Sequence, residues 1–181
     1  MIQSLKNKNG FTLIELLVVI FIIAFMATFG LPTLLEAIDN QKVKGAARDL
    51  FSIFQRAKFE AISRNSNVVI SATPAAFTPG GMVGSYQVFV DDGAGGGTST
   101  DFIRNGTEEI LTTVSMPRKV SLISASFSGG TQSAGFYSRG LPINNRFGSI
   151  QLRNSIRWYK ISLSFAGNVN IQISNDGASW L

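Results

Sequence analysis

The sequence predicts an α+β fold in which one long N-terminal helix carries a mostly antiparallel β-sheet domain. Residues 11–35 form an almost continuous apolar run. An amphipathic helical pattern follows this run without a break and extends to about Arg64. Beyond Asn67, short segments with apolar residues at alternate positions are separated by clusters of Gly, Asn, Ser and Pro. These three observations together predict the fold class.

The apolar run is long enough to cross a membrane. A helix rises 1.5 Å per residue and needs about 20 apolar residues to span the hydrocarbon core of a bilayer. Residues 11–35 exceed that length and contain one charged side chain, Glu15. Pro32 predicts a bend or a boundary, because proline has no N–H to donate and its ring clashes with the preceding turn. Lys6 and Lys8 precede the run and predict a single-pass protein whose N-terminus is cytoplasmic.

The second half of the helix, residues 36–66, is expected to pack on the β domain. Apolar residues recur there at helical spacing and define one face. These residues are Val43, Ala46, Ala47, Leu50, Phe54, Ala57 and Ala61. Asn65 and Asn67 are predicted to end the helix.

The remaining residues, 67–181, predict a globular domain of six to eight strands with one sheet face packed on the helix. The glycine-rich stretch 91–101 predicts a mobile loop between two strands. Its three carboxylates, Asp91, Asp92 and Asp101, leave a calcium site as an alternative, although EF-hand spacing and the closing glutamate are missing. Contact with a partner protein is a third interpretation of this loop.

The composition argues against an enzyme. The chain has no His and no Cys, which removes the commonest general base, the cysteine nucleophiles and most zinc sites. We therefore expect no enzymatic activity, no cofactor and no metal site. The formal charge is +5, and without Lys6 and Lys8 the remaining 14 basic and 11 acidic side chains give +3. This mild charge is not typical of a dedicated nucleic-acid binder.

One late cluster keeps a nucleic-acid contact open as a hypothesis. Arg153, Arg157 and Lys160 alternate with Trp158 and Tyr159. Basic residues interleaved with aromatic ones can bind single-stranded nucleic acid. The more common interpretation is a solvated strand face beside core aromatic residues.

Glu15 is the most informative residue of the apolar run. A carboxylate at membrane depth costs about 2.5–3.5 kcal/mol on insertion scales, so it should face a partner and not lipid. An ordinary secretory signal or a generic membrane anchor has no use for such a charge. The residues after the apolar core also make a poor site for signal-peptide cleavage.

The stretch "KNKNGFTLIELLVVI" resembles the class III signal of type IV pilins and type II secretion pseudopilins. The resemblance implies that residues 1–10 are a leader, which prepilin peptidase removes by cleaving after Gly10. Phe11 would then become the methylated N-terminus, and Glu15 the fifth mature residue. In that family this acid pairs with the N-terminal amine of a neighbouring subunit in the filament. Pairing with its own Phe11 amine is the alternative.

Later stretches resemble the H-type minor pseudopilins of the GspH/FimT family. They are "AISRNSNVVIS", "GSYQVFVDDGAGGG", "FYSRGLP" and "ISLSFAGNVNI". The resemblance implies a structural subunit at or near the tip of a type II secretion pseudopilus or a type IV pilus. It also implies an inner-membrane anchor and a periplasmic C-terminal domain. The implied partners are prepilin peptidase, other pseudopilins or pilins and, as a further candidate, a secreted protein substrate.

Two stretches depart from the family pattern. Tyr86 stands where a Trp is usual, and the turn at residues 167–170 reads Gly-Asn-Val-Asn where the family has Gly-Arg-Val-Arg. The arginines of that turn are implicated in DNA uptake in the FimT branch, and phosphate binding depends on such charges. Asn168 and Asn170 are neutral, so DNA is not expected as a partner. A DNA-binding minor pilin for DNA uptake remains the alternative function.

Overall fold

The computed structural model describes residues 10–181 and contains one long helix and eight strands. Helix α1 spans Leu13–Arg64. The strands are β1 (Val68–Thr73), β2 (Ser85–Val90), β3 (Ile110–Ser115), β4 (Ser121–Phe127), β5 (Ser133–Phe136), β6 (Gly148–Arg153), β7 (Trp158–Leu163) and β8 (Val169–Ser174), with a short 3-10 helix at Ile143–Asn145. The chain divides into two compact units, Met1–Ile38 and Asp39–Leu181.

Within the first unit, α1 is helical without interruption through Pro32. Proline lacks an N–H, so the helix loses one internal hydrogen bond there, but it does not end as a boundary at Pro32 would require. The hydroxyls of Thr28 and Thr33 donate to the carbonyls of Ala24 and Phe29 one turn earlier. The polar groups of these threonines are thus satisfied inside the helix. By length and composition, the helix is sufficient to cross a membrane.

The C-terminus of α1 is a Schellman motif. Asn65 adopts a left-handed conformation with φ 51°. Its N–H donates to the carbonyl of Ile62, and the N–H of Ser66 donates to the carbonyl of Ala61. Asparagine tolerates this conformation better than most residues, which explains why the helix ends here. The predicted end near Arg64 is confirmed.

The strands form two four-stranded sheets in the second unit. The first sheet has the order β3-β2-β1-β5 and the second the order β4-β6-β7-β8. Every strand pair within them is antiparallel. The sequence predicted antiparallel strands, but their division into two sheets depends on pairings that no local pattern specifies.

Strand β5 is the element that sequence analysis missed. It contains Ser-Ala-Gly-Phe, is four residues long and is buried along its whole length. Small residues are required there: a Cβ on Gly135 would lie 2.5 Å from the carbonyl oxygen of Val68 on the adjacent strand. This close packing replaces the alternating β-branched pattern by which strands are usually recognised.

One apolar core joins α1 to both sheets. The seven helix residues predicted to face the core are all buried, and they share a cluster with inward-facing residues of the two sheets. The opposite face of the first sheet is covered by a smaller cluster, which consists of Val69, Phe89, Phe102 and Ile143. Phe102 belongs to the long loop between β2 and β3, so that loop forms part of the packed structure.

Candidate assembly site at the helix N-terminus

Glu15 lies in the first turn of α1 and forms a reciprocal cap with Thr12. The backbone N–H and the hydroxyl of Thr12 donate to Glu15 Oε2 over 3.0 Å and 3.1 Å. The N–H of Glu15 in turn lies 3.3 Å from the Thr12 hydroxyl oxygen, which accepts it. This arrangement is a capping box, which satisfies backbone donors that the first turn of a helix otherwise leaves free.

The capping box provides Glu15 with a partner in its own chain. The carboxylate also lies at the positive end of the helix dipole, where a negative charge is favoured. The sequence signal was available, because Thr12-Leu-Ile-Glu15 has the Thr-x-x-Glu spacing of a capping box. The partners expected from the family resemblance are instead the N-terminal amines of Phe11 and of a neighbouring subunit. While Gly10 is attached, the nitrogen of Phe11 is a neutral amide and cannot pair as a cation.

Gly10 and Phe11 precede the helix and are accessible. Phe11 is 83% exposed. A Cβ on Gly10 would have no atom within 4 Å, so no packing inside the described structure requires glycine there. A peptidase that approaches the backbone closely would instead explain why this residue has no side chain.

The helix surface from Leu13 to Ile38 is apolar and exposed. Every large apolar side chain from Leu13 to Ile38 is between 47% and 78% exposed. A helix that is apolar on all sides requires a lipid environment or neighbouring helices. The one carboxylate near its start therefore lies on an otherwise apolar helix surface.

The basic residues of β6 and β7 contact aromatic rings of the same chain. The guanidinium carbon of Arg153 lies 3.9 Å from the ring centroid of Phe77 and 4.2 Å from that of Trp158. Burial lowers the pKa of Arg153. Lys160 Nζ lies 4.3 Å from the ring of Trp180. These pairs are intramolecular cation–π contacts, which occupy the rings that would stack on bases.

The third residue of the basic cluster, Arg157, lies in the turn before β7. It is partly buried, and its carbonyl oxygen accepts a hydrogen bond from the N–H of Asn154. The structure brings Arg153 and Lys160 onto adjacent strands, whereas Arg157 forms no cation–π contact with an aromatic ring among residues 10–181. A nucleic-acid contact at these three residues stays a prediction.

The turn between β7 and β8 has no basic residue of its own. Asn168 and Asn170 are exposed, and the backbone N–H of Asn168 donates to the Ser164 hydroxyl. The ammonium of Lys58 on α1 lies 3.4 Å from the carbonyl oxygen of Gly167 and donates to it. This turn therefore packs against the helix and presents neutral amides to solvent.

Two buried carboxylates organise the glycine-rich loop, which sequence analysis predicted to be mobile. Asp91 has no exposed surface. Its two oxygens accept the backbone N–H groups of Thr100 and Phe102 at 2.7 Å and 3.1 Å. Burial raises the pKa of Asp91, and these hydrogen bonds oppose the rise. Asp91 thereby positions the ring of Phe102 against the sheet.

Glu108 has the equivalent role at the other end of the loop. It is 1% exposed, and its oxygens accept the N–H groups of Gly93 and Asn105 at 3.0 Å and 2.7 Å. Among residues 10–181 no cluster of acidic side chains has the geometry of a metal site. The carboxylates considered for calcium bind backbone amides of their own loop.

Asp91→Asn is expected to destabilise the fold by about 1–3 kcal/mol at pH 7, because an amide cannot accept both N–H groups. The folded-state pKa of Asp91 is raised. Protonation of Asp91 therefore raises the free energy of unfolding of the wild type as pH falls from that folded-state pKa to the unfolded-state pKa of about 3.9. The difference in free energy of unfolding between wild type and variant should widen from pH 7 to pH 4. Denaturant titrations of the full chain, followed by tryptophan fluorescence, measure it. Asp92→Asn is the exposed control, and a narrowing gap would contradict the assignment.

Comparison with known proteins identifies the family. A family model described as the type II transport protein GspH matches residues 46–177. The chain belongs to the GspH family. A second model, the prokaryotic N-terminal methylation motif, matches residues 5–31, which include Gly10, Phe11 and Glu15. The protein is thus a structural, non-enzymatic pseudopilin of the type II secretion family with an N-terminal methylation motif, as its sequence predicted.

Individual relatives of this GspH-family chain are distant. It is 37% identical over 88 residues to the pilin-like protein PilA1 of Thermus thermophilus. The matched region covers 49% of this chain and 51% of PilA1, so the chain spans about half the length of that relative. The type IV minor pilin FimU of Pseudomonas aeruginosa aligns with 71% of this chain and 90% of its own, at a TM-score of 0.46 and 15% identity. The minor pseudopilin EpsH of Vibrio cholerae aligns with 72% and 95%, at a TM-score of 0.47 and 11% identity.

Proposed function

We propose that this protein is an inner-membrane minor subunit that is assembled at or near the tip of a type II secretion pseudopilus or type IV pilus. There it initiates assembly or contacts secreted substrate. The single observation that supports this role best is the site at the start of α1. A capped carboxylate lies directly after an accessible Gly10–Phe11 bond and begins an exposed apolar helix.

Cleavage would change the chemistry around Glu15. Hydrolysis of the Gly10–Phe11 bond converts the Phe11 amide into an amine that is charged at neutral pH. The capping contacts from Thr12 have neutral donors, whereas an ammonium adds direct charge–charge attraction to its hydrogen bond with the carboxylate. A neighbour's amine at the same membrane depth can thus compete for Glu15. The axial offset between neighbouring subunits that forms this pair would be favoured over offsets that leave the carboxylate unpaired.

The proposed chain organisation follows the same logic. Residues 1–10 form the leader, 11–35 the membrane half of the helix, 36–66 its amphipathic half and 67–181 the periplasmic β domain. Lys6 and Lys8, which orient the N-terminus towards the cytoplasm, lie outside the described residues. The partners in this proposal are prepilin peptidase, the other filament subunits and, at the tip, a secreted protein.

Mature protein purified from membranes is expected to begin at Phe11 and to carry one added methyl group. Intact-mass and N-terminal peptide mass spectrometry measure this directly. Gly10→Val should leave the chain at its full precursor length, because a branched side chain blocks close approach to the backbone. An N-terminus at Met1 in the wild type would contradict the processing proposal.

The tip position is tested by labelling the subunit in filaments. The chain has no Cys, so the exposed Asn175 can be changed to cysteine and labelled with maleimide-gold, with the cysteine-free wild type as control. Label should appear at filament ends and not along their length. Label distributed evenly along filaments would rule out a tip location.

The DNA-binding alternative gains no specific support from the structure. Asn168 and Asn170 provide no positive charge at the turn, and two of the three basic residues considered for nucleic acid contact aromatic rings of the chain. Tight binding of duplex DNA with a steep salt dependence in gel-shift titrations would revive this alternative.

A further inference from the structure

Three of the four outer edges of the two sheets are covered in part by other segments of the described chain. Beside β4, the N–H of Leu122 donates to the carbonyl of Val83. Beside β5, Phe136 forms an antiparallel bridge with Pro142. Beside β8, Ile173 and Leu181 exchange both backbone hydrogen bonds. These contacts prevent the three edges from pairing with another strand along their whole length.

The outer edge of β3 lacks any such cover within residues 10–181. Met116 donates its N–H to the carbonyl of Gly84, and hydrogen-bonding residues alternate along an antiparallel strand. The N–H of Val114 therefore faces β2, while that of Thr113 faces outward. Ile110–Ser115 contains no charged residue and no proline, the usual features that prevent an edge strand from pairing. This edge can accept another strand.

A groove runs between α1 and this open edge. Its volume is about 410 Å³, and it is lined by Asp49, Ser52, Ile53, Arg56, Tyr86 and Val114. Ile53 and Val114 provide apolar walls on the helix and on β3. Successive side chains of a strand point to opposite faces of a sheet. Alternate side chains of a strand added beside β3 would therefore enter this groove.

The polar groups of the groove have unused bonding capacity. Tyr86 is 2% exposed, yet its hydroxyl reaches the groove and forms no hydrogen bond with any group of residues 10–181. Burial, with a smaller contribution from Asp49, raises its pKa to about 12, so it stays a neutral donor and acceptor. Asp49 is exposed and forms no ion pair within the described chain. An unpaired carboxylate beside a free hydroxyl is suited to a cationic side chain.

We propose that this groove and the β3 edge bind an extended segment of another protein, which adds a fifth strand to the first sheet and places an Arg or Lys side chain against Asp49 and Tyr86. Backbone hydrogen bonds to β3 provide affinity, and the groove provides side-chain specificity. Arg56, which lies 3.6 Å from Glu60 and is largely exposed, gives the other end of the groove the opposite charge. The proposal does not depend on a tip location in a filament.

Binding is tested with the full chain in detergent micelles and fluorescent strand peptides. The probe is fluorescein-labelled TVTRTVT-amide, with the label on the N-terminus. Its controls are the same peptide with Glu in place of Arg and one in which every backbone amide is N-methylated. The Arg peptide should bind saturably and about tenfold more tightly than the Glu peptide, because charge complementarity sets the preference. The N-methylated peptide should not bind, because it cannot pair with β3.

Matched variants distinguish the contribution of strand pairing to peptide binding from that of charge complementarity. Thr113→Pro removes the outward N–H without touching the bonds to β2, whereas Thr113→Val keeps it. Both lose the bond that Gln87 donates to the Thr113 hydroxyl. Only the proline variant should lose peptide binding. Asp49→Asn and Tyr86→Phe should weaken binding of the Arg peptide and leave that of the Glu peptide unchanged or improved.

Three results would overturn the proposal. They are no saturable binding of the Arg peptide, equal binding of the N-methylated peptide, and equal binding by the two Thr113 variants. Loss of filament assembly in other experiments would have no bearing on these titrations, so failure of the filament proposal and failure of this one are distinguishable.

Discussion

A chain with Glu15→Leu is expected to insert into the membrane normally and to enter filaments about tenfold less than wild type, the effect of losing roughly 1.4 kcal/mol of pairing. Insertion should be unaffected because leucine is more favourable than glutamate in a bilayer. Assembly should fail because no carboxylate remains to pair with a neighbour's amine. Membrane fractionation measures the first quantity, and quantitative immunoblotting of sheared filaments measures the second.

Two variants separate the charge of Glu15 from its helix-capping role. Glu15→Gln keeps a side chain that can complete the capping box with Thr12 but has no charge. If the charge directs assembly, this variant should fail as Glu15→Leu does. Glu36→Leu makes the same substitution in the same helix, away from the capping box, and should assemble normally. Normal incorporation of Glu15→Leu, or rescue by glutamine, would contradict the assembly role.

Phe54→Ala is expected to lower the free energy of unfolding by about 3–5 kcal/mol, because it removes a large side chain and leaves a cavity. Phe54 has no exposed surface. Its ring centroid lies 6.5 Å from that of Phe127 on β4, so the cavity would open between the helix and the second sheet. Denaturant titration of the full chain in micelles, followed by the fluorescence of Trp158 and Trp180, measures the change.

Phe59→Ala provides the matched control. Phe59 lies on the same helix five residues later but is 70% exposed. Its replacement should change stability by no more than about 0.5 kcal/mol, as is usual for surface positions. Similar losses for both variants would indicate that Phe54 is not the core contact that the structure describes.

The sequence predicted the helix and most strands because their signals are local. The helical spacing from Val43 to Ala61 identified every buried residue of α1, since one face of a helix must contact the core wherever the core lies. Asn65 marked the helix end by its own backbone preference. Strand β5 was missed because its small residues are required by Val68, which lies 67 residues before Gly135 in the chain and whose carbonyl approaches it closely.

The residues of the candidate site at the helix N-terminus lie close together in the chain, whereas the contacts of the loop and of the groove join distant residues. Gly10, Phe11, Thr12 and Glu15 lie within six consecutive residues. The spacing of Thr12 and Glu15 indicated a capping box, but this signal was not recognised. Asp91 and Glu108 become structural only when the loop folds back and their oxygens meet distant backbone amides. From the sequence, three acids near a glycine run predict a mobile loop and leave a calcium site as an alternative.

The sequence alone determined the fold class, the membrane-length helix and the processing motif, because each depends on residues close together in the chain. Only the tertiary structure decided which strands share a sheet, which aromatic rings Arg153 and Lys160 contact, and which sheet edge stays open. Those outcomes depend on contacts between segments far apart in sequence. Tyr86 and Asp49 become neighbours in a groove only because α1 packs across the first sheet.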